Sequence, residues 1–165
     1  MKKFLAVLLA LALMMTVVSA LAEEAAAPSK TIDALIPTID ESKVETANEE
    51  IDKLNQEGVV DYFGKGDEIA ALLGEGEYVC HEMYPLIFPE YTGENDPVLV
   101  QLPFPTPYEE GATVAVMVGI YGEPIEWTTY EGTVIAEGLV QFEMPLADYN
   151  EAVAAETVLV AVVSK

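Results

Sequence analysis

The sequence predicts a mostly β protein: an immunoglobulin-like, antiparallel β-sandwich of about seven strands with one or two N-terminal helices packed on it. From about Tyr78 onward, short runs of β-branched and aromatic residues are separated by Gly, Pro, Asn and Asp. Only the preceding stretch, residues 42–75, has helical periodicity. Short strands spaced in this way favour an immunoglobulin-type sandwich over a barrel. The disulfide typical of antibody domains is absent, because the chain has one cysteine.

Turn sequences such as GEND, YGEP and EGT set the limits of the predicted strands. The seven candidates are Tyr78–Phe88, Val98–Pro103, Thr113–Tyr121, Ile125–Tyr130, Thr133–Glu137, Leu139–Met144 and Thr157–Val163.

Alternation within a strand predicts which side chains are buried. Between Leu139 and Met144, the side chains of Val140, Phe142 and Met144 are expected to face the core, with polar residues between them. Ile125 and Trp127 alternate with polar residues in the same way, so Trp127 is predicted to belong to the core.

Two strands are apolar on both faces, in the segments 112–122 and 157–163. The outer face of each therefore needs a cover, either the N-terminal helices or a second copy of the chain. The helices are the favoured cover, because their own apolar stripes also need burial.

Residues 42–56 predict the first helix. Ser42 and Glu45 form a capping-box pattern at its start, and Gly58 follows its end. A second, shorter helix is expected at Asp67–Leu73, with Asp67 as its N-cap. The first helix carries one narrow apolar stripe, made of Val44, Ala47, Ile51 and Leu54.

The N-terminus has the pattern of a cleavable secretory signal. Lys2 and Lys3 precede an apolar run of 15 residues, Phe4–Val18, and small residues stand at Ala20 and Ala22. A spanning helix needs about 20 apolar residues, so cleavage after Ala22 and a secreted protein are expected. The predicted organisation is a signal peptide at 1–22, a flexible leader at 23–41, a helical brace at 42–75 and a β-sandwich at 76–165, the last two forming one unit.

The charge excludes several classes of partner. The formal net charge is −22, from 29 acidic residues and seven lysines, with no arginine. Nucleic acids and anionic membrane surfaces are therefore not expected as partners, since both require a basic face. Residues 66–164 contain no Lys or Arg. This acidity is explained either by solubility in a salty medium or by a bound cation or basic partner.

Several segments together resemble a recurring, uncharacterised domain of exported and surface proteins of Gram-positive-type bacteria. They are VVDYFG (residues 59–64), HEMYPL, FPTPYEEGATVAVMVG, EWTTYEGTV and the closing TVLVAVVSK. The likeness covers residues 42–165 and rests on the turn residues that separate the strands and on the spacing of hydrophobic residues. It implies an extracellular setting and supplies no site residues.

Cys80 and His81 are the only cysteine and histidine, and they are adjacent. In a strand, neighbouring side chains point to opposite faces, so these two are not expected to form a catalytic pair. One cysteine and one histidine are also too few for a typical zinc site. Cys80 is predicted to be a buried thiol, the alternative being an intermolecular disulfide.

Two loops contain weaker binding candidates. Glu94, Asn95 and Asp96 have oxygen ligands of the kind that calcium takes, although the same residues are ordinary turn formers. Tyr91 and Tyr108 lie in loops rich in Pro and Gly and are candidates for contact with a ligand.

No nucleophile–base pair or phosphate-binding loop was found, so an enzyme is not expected, and no cofactor other than a possible calcium ion is indicated. The sequence therefore predicts a secreted, non-enzymatic binding module for a protein or a cell-wall component. A carbohydrate-binding module is the second hypothesis, and a secreted hydrolase or calcium-binding protein is the third. A homodimer, through Cys80 or an apolar sheet face, remains open.

Overall fold

The computed structural model describes residues 34–103, 108–122 and 124–165, and only the backbone of His81. The predicted signal peptide and most of the predicted leader lie outside the described residues. These ranges contain seven strands: β1 (Thr38–Ile39), β2 (Val79–Ile87), β3 (Val98–Pro103), β4 (Thr113–Ile120), β5 (Glu126–Ala136), β6 (Leu139–Met144) and β7 (Val158–Ser164). The helices are a 3-10 helix (Glu41–Lys43), α1 (Val44–Glu57), α2 (Val59–Phe63), α3 (Gly66–Leu73) and α4 (Leu146–Ala154).

All seven strands belong to one antiparallel sheet, in the order β1-β2-β7-β4-β5-β6-β3. The sheet curls into a half-barrel. The mostly β class is thus confirmed. The immunoglobulin-like sandwich is not confirmed, because the strands form one curled sheet rather than two packed sheets.

The N-terminal segment, residues 35–39, bonds to β2 on one side of the sheet and to β3 on the other. Thr38 and Ile39 pair with β2 at one edge. At the other edge, the backbone N–H of Leu35 donates to the carbonyl of Leu99, and the N–H of Gln101 donates to the carbonyl of Leu35, both at 2.9 Å. The end of the predicted leader is therefore part of the sheet, and it supplies partners to edges that would otherwise be unpaired.

Alternation along the central strands divides the core into two clusters. The inner cluster contains the even-numbered residues of β4 and β7, such as Val116 and Val160, together with side chains from both outer strands. Because this cluster contains side chains from both β2 and β3, which lie near opposite edges of the sheet, it fills the inside of the curl. The predicted inward-facing residues of β6, Val140, Phe142 and Met144, belong to it and are at most 2% exposed.

The outer cluster lies on the other face of the sheet. Odd-numbered residues of β4 and β7, including Met117 and Leu159, pack there against Ala47 and Leu54 of α1 and Ile69 of α3. This is the predicted arrangement in which the N-terminal helices cover the outer apolar face.

β5 is one strand of 11 residues where the sequence predicted two strands separated by a turn at EGT. Gly132 stands at that point with a register partner on each side, Val114 in β4 and Phe142 in β6. A Cβ at position 132 would lie 2.8 Å from a methyl carbon of Val116. The glycine is therefore required for close packing inside the curl rather than for a turn.

The predicted capping box at Ser42 and Glu45 is wrong. Asp40, not Ser42, is the capping residue: its carboxylate Oδ1 accepts hydrogen bonds from the backbone N–H and the hydroxyl of Ser42, at 2.9 and 2.6 Å. Asp40 Oδ2 accepts a third, from Thr157 Oγ1 at 2.6 Å. This carboxylate thus ties the start of the helical layer to the segment before β7. The predicted N-cap at Asp67 is also wrong, since α3 begins at Gly66 without a side-chain cap.

None of the helices in the described ranges is both long and apolar enough to cross a membrane.

Candidate binding site

A cleft of about 470 Å³ lies on the helix-covered side of the sheet, where α1 and α2 approach the connection from β4 to β5. Its walls combine carboxylates with aromatic rings. The lining side chains that matter for its chemistry are Glu50, Lys53, Glu57, Tyr62, Tyr121 and Trp127. We call it the Glu50 cleft.

Glu50 is the polar centre of the cleft and is only 9% exposed. Its Oε1 accepts a hydrogen bond from Lys53 Nζ at 2.6 Å, and its Oε2 accepts one from the Tyr62 hydroxyl at 2.8 Å. Lys53 follows three residues later on α1, on the same side of the helix. A buried carboxylate is tolerated when it is paired in this way.

The pKa shifts of the two donors agree with this network. Burial, followed by the hydrogen bond to Glu50, raises the pKa of Tyr62 well above its ordinary value. The hydrogen bond to Glu50 also raises the pKa of Lys53. At neutral pH the tyrosine is therefore a neutral donor and the lysine is a cation.

An aromatic cluster forms the floor of the cleft. Trp127 on β5 is 8% exposed, and its ring meets that of Phe63 edge to face at 4.8 Å and that of Tyr62 at 5.9 Å. Gly119, opposite Trp127 on β4, makes room for the indole, since a Cβ there would lie 2.6 Å from a ring carbon. Rings arranged in this way hold the floor rigid.

Tyr121 forms part of the wall where β4 ends. Its hydroxyl is buried and, among the described residues, has no hydrogen-bond partner. Burial raises the pKa of Tyr121 to about 12, and the negative charges of Asp40 and Glu50 act in the same direction. The ammonium of Lys43 lies 6.0 Å from the centre of the Tyr121 ring, within the range of a cation–π contact.

Cys80, the only cysteine of the chain, lies on β2. Cys80 is free and partly buried, and its thiol lies 3.5 Å from the carbonyl oxygen of Glu82. Burial raises the pKa of Cys80 to about 12, so the thiol is protonated at neutral pH. The side chain of His81 lies outside the described residues.

The calcium candidates lie in the exposed loop before β3. Asp96 Oδ1 accepts a hydrogen bond from the backbone N–H of Leu146 at 3.0 Å, at the start of α4, and the N–H of Asn95 donates to the hydroxyl of Tyr91 at 3.1 Å. Glu94 is exposed in the same loop. Within the described part of the chain, no three Asp, Glu, His or Cys side chains come together as a metal site would require.

Tyr91 and Tyr108, the ligand candidates predicted from the sequence, are partly buried against the inner cluster. The ring of Tyr91 lies 6.0 Å from that of Tyr149. Both tyrosines therefore lie on the opposite face of the sheet from the Glu50 cleft, and they do not contribute to it.

The cleft is not among the sites predicted from the sequence. The signal that could have revealed it is Glu50 itself, which stands three residues after Ala47 and four before Leu54 and so interrupts the apolar stripe of α1. A carboxylate on the buried face of an amphipathic helix requires a partner. Tyr62 supplies part of that requirement, but its place beside Glu50 depends on the tertiary fold.

Several buried tyrosines make the free energy of unfolding depend on pH in the alkaline range. Burial raises the pKa above the ordinary value of 10.0 for five of them, and to about 12 for Tyr121 and Tyr149. The other three are Tyr62, Tyr84 and Tyr130.

We expect the free energy of unfolding to fall as the pH rises above about 10. The unfolded chain ionises its tyrosines near that pH and the folded chain does so only at higher pH, so their contribution is complete below pH 10 and is lost toward pH 12 and above. Denaturant titrations from neutral to alkaline pH, followed by circular dichroism and by tyrosinate absorbance, measure this. Full tyrosine ionisation near pH 10 in a protein that remains folded would contradict it.

The chain matches no protein-family model, no curated protein and no solved structure at a significant level.

Proposed function

We propose that this protein is a secreted, non-enzymatic binding module that holds its ligand in the Glu50 cleft. The observation that carries the proposal is the convergence of a buried carboxylate with Tyr62, Tyr121 and Trp127 around one cleft of about 470 Å³. Concave sites of this size with aromatic walls and a few placed polar groups are typical of ligand binding.

The polar groups of the cleft are suited to holding a ligand rather than to transferring protons. Both oxygens of Glu50 already accept hydrogen bonds. The raised pKa values of Tyr62 and Tyr121 keep both as neutral phenols at neutral pH, where they are weak acids. Burial also raises the pKa of the thiol of Cys80, the only cysteine in the chain. These features support binding over catalysis.

The binding test compares the wild-type protein with Tyr121→Ala on a panel of cell-wall fragments, glycans and short peptides. We expect at least one class of probe to bind the wild type and to lose most of its binding in Tyr121→Ala. Glu143→Gln, an exposed change on β6, is the control and should bind as the wild type does. If Tyr121→Ala folds and binds every probe as well as the control, the cleft is not the site.

A carbohydrate-binding module is the second candidate, because aromatic rings and a carboxylate also suit sugars. Trp127 is only 8% exposed, however, so it offers little ring surface for stacking. A specific glycan signal that depends on Tyr121 would favour this alternative.

Secretion is part of the proposal and rests on the signal pattern of residues 1–22. Mass spectrometry of the protein recovered from the medium of expressing cells should give a chain that begins at Glu23. A product that keeps its first 22 residues and stays with the cells would contradict secretion.

A further inference from the structure

The Glu50 cleft lies in a protein whose charge disfavours anionic ligands. The formal net charge is −22, and no Lys or Arg occurs between Gly66 and Ser164. The field of such a protein attracts cations and repels phosphate and carboxylate groups. The field therefore favours a neutral or positively charged ligand in this cleft.

The cleft already contacts two of the protein's own ammonium groups. Lys53 Nζ lies 2.6 Å from Glu50 Oε1, and Lys43 Nζ lies 6.0 Å from the centre of the Tyr121 ring. The described ranges contain only two other lysines, Lys65 and Lys165. Half of the described lysines thus contact the walls of this one cleft, by the two interactions with which proteins recognise ammonium groups.

Acceptors remain for one more cation. Glu57 lines the cleft and takes part in neither of the ion pairs found among the described residues, which are Lys53–Glu50 and Lys65–Glu68. An ammonium group has three donors, and the exposed carboxylate of Glu57 is available to them. The hydroxyl of Tyr121 is buried, but its ring offers a cation–π contact of the kind that Lys43 makes.

The remaining walls suit an apolar stem. Ile125 and the Trp127 ring lie beside these acceptors in the same cleft. A flexible alkyl chain that ends in a charged head can bury its methylene groups against such a wall while the head meets the carboxylate.

We propose that the Glu50 cleft binds a primary ammonium group carried on an alkyl stem, as in a lysine side chain. This inference rests on the proposed binding function and adds the chemical class of the ligand. The ammonium would contact Glu57 and the Tyr121 ring, and the stem would pack mainly on Ile125, beside the largely buried Trp127.

Fluorescence of Trp127, the only tryptophan in the chain, measures occupancy of the cleft. The probes are Nα-acetyl-lysine N-methylamide, the neutral norleucine analogue of the same length, and 1,5-diaminopentane. We expect a saturable change with the lysine derivative and binding at least about tenfold weaker with the norleucine analogue. Raising the salt concentration should weaken the binding, because screening acts on the charged pair.

Two carboxamide variants test the placement of the ammonium. Glu57→Gln should weaken binding of the lysine derivative several-fold, while Glu143→Gln, the exposed control on β6, should leave it unchanged. Equal loss in both variants would overturn the placement, since it would indicate a general effect of net charge. Both side chains lie at the surface, so both variants should keep the wild-type circular dichroism spectrum.

The outcomes separate this inference from the function on which it rests. Tighter binding of the capped lysine than of the diamine supports a protein side chain as the source, and the reverse order supports a free polyamine. No response to either amine, or an equal response to norleucine, overturns the inference. If a neutral glycan binds at the cleft instead, the binding function stands without the ammonium. If no probe of either panel binds, both fall.

Discussion

Replacing Tyr149 by alanine is expected to lower the free energy of unfolding by about 3–5 kcal/mol, the usual range for removing a buried aromatic side chain. Tyr149 on α4 is fully buried, and its ring meets that of Phe88 edge to face at 5.5 Å. Its hydroxyl donates to the carbonyl of Pro89 at 2.7 Å. The side chain therefore anchors α4 to the inner cluster and to the segment after β2.

Tyr149→Phe is the matched control for this prediction. It keeps the ring and removes only the hydrogen bond, so it should cost about 1–3 kcal/mol, the range for leaving a buried acceptor unsatisfied. Urea titrations followed by circular dichroism measure both variants. Equal losses in the two variants would contradict the assigned role of the ring.

Trp127→Ala is expected to produce the second large loss, again about 3–5 kcal/mol. The indole contacts Phe63 and Tyr62 and lies over Gly119, so its removal leaves a cavity between the sheet and α2. The change should also abolish ligand binding in the Glu50 cleft, because Trp127 forms part of its floor.

Trp127→Phe separates stability from binding. A phenyl ring retains most of the contact with Phe63, so the loss of stability should be clearly smaller than for alanine. Circular dichroism is the suitable measurement, since both variants lack the only tryptophan. If Trp127→Ala were as stable as the wild type, the outer cluster would not depend on the indole as described.

Much of the sheet could be predicted because strand alternation and turn residues are local signals. Val98–Pro103 and Leu139–Met144 have the predicted limits, and the apolar outer face of β4 correctly predicted a cover of helices. The curl of the sheet was not predictable in the same way. It depends on where the edges meet, and Leu35 connects them through bonds to β3, far along the chain.

Two features of the fold differ from the sequence prediction, the continuous strand β5 and the helix α4. Gly132 resembles a turn residue, but inside β5 it allows close packing of Val116. α4 has no counterpart among the elements predicted from the sequence, although Leu146, Tyr149 and Val153 follow helical spacing. The hydrophobic period there is a valid signal for a helix.

The candidate site was the least predictable part. The general role of loops in ligand binding predicts Tyr91 and Tyr108 as contacts, yet both pack on the inner cluster. Glu50, Tyr62 and Tyr121 come from three separate elements, and no local pattern places them together. The only sequence signal for the cleft is the position of the charged residue Glu50 on the apolar stripe of α1.

The central claim is that the Glu50 cleft, rather than the loop tyrosines, binds the ligand. Backbone and indole N–H chemical shifts, followed by NMR during titration with Nα-acetyl-lysine N-methylamide, test it most directly. The account predicts that the largest shifts occur at Glu57, Tyr62, Tyr121 and Trp127. Shifts concentrated at Tyr91 and Tyr108, with none at the cleft, would contradict it.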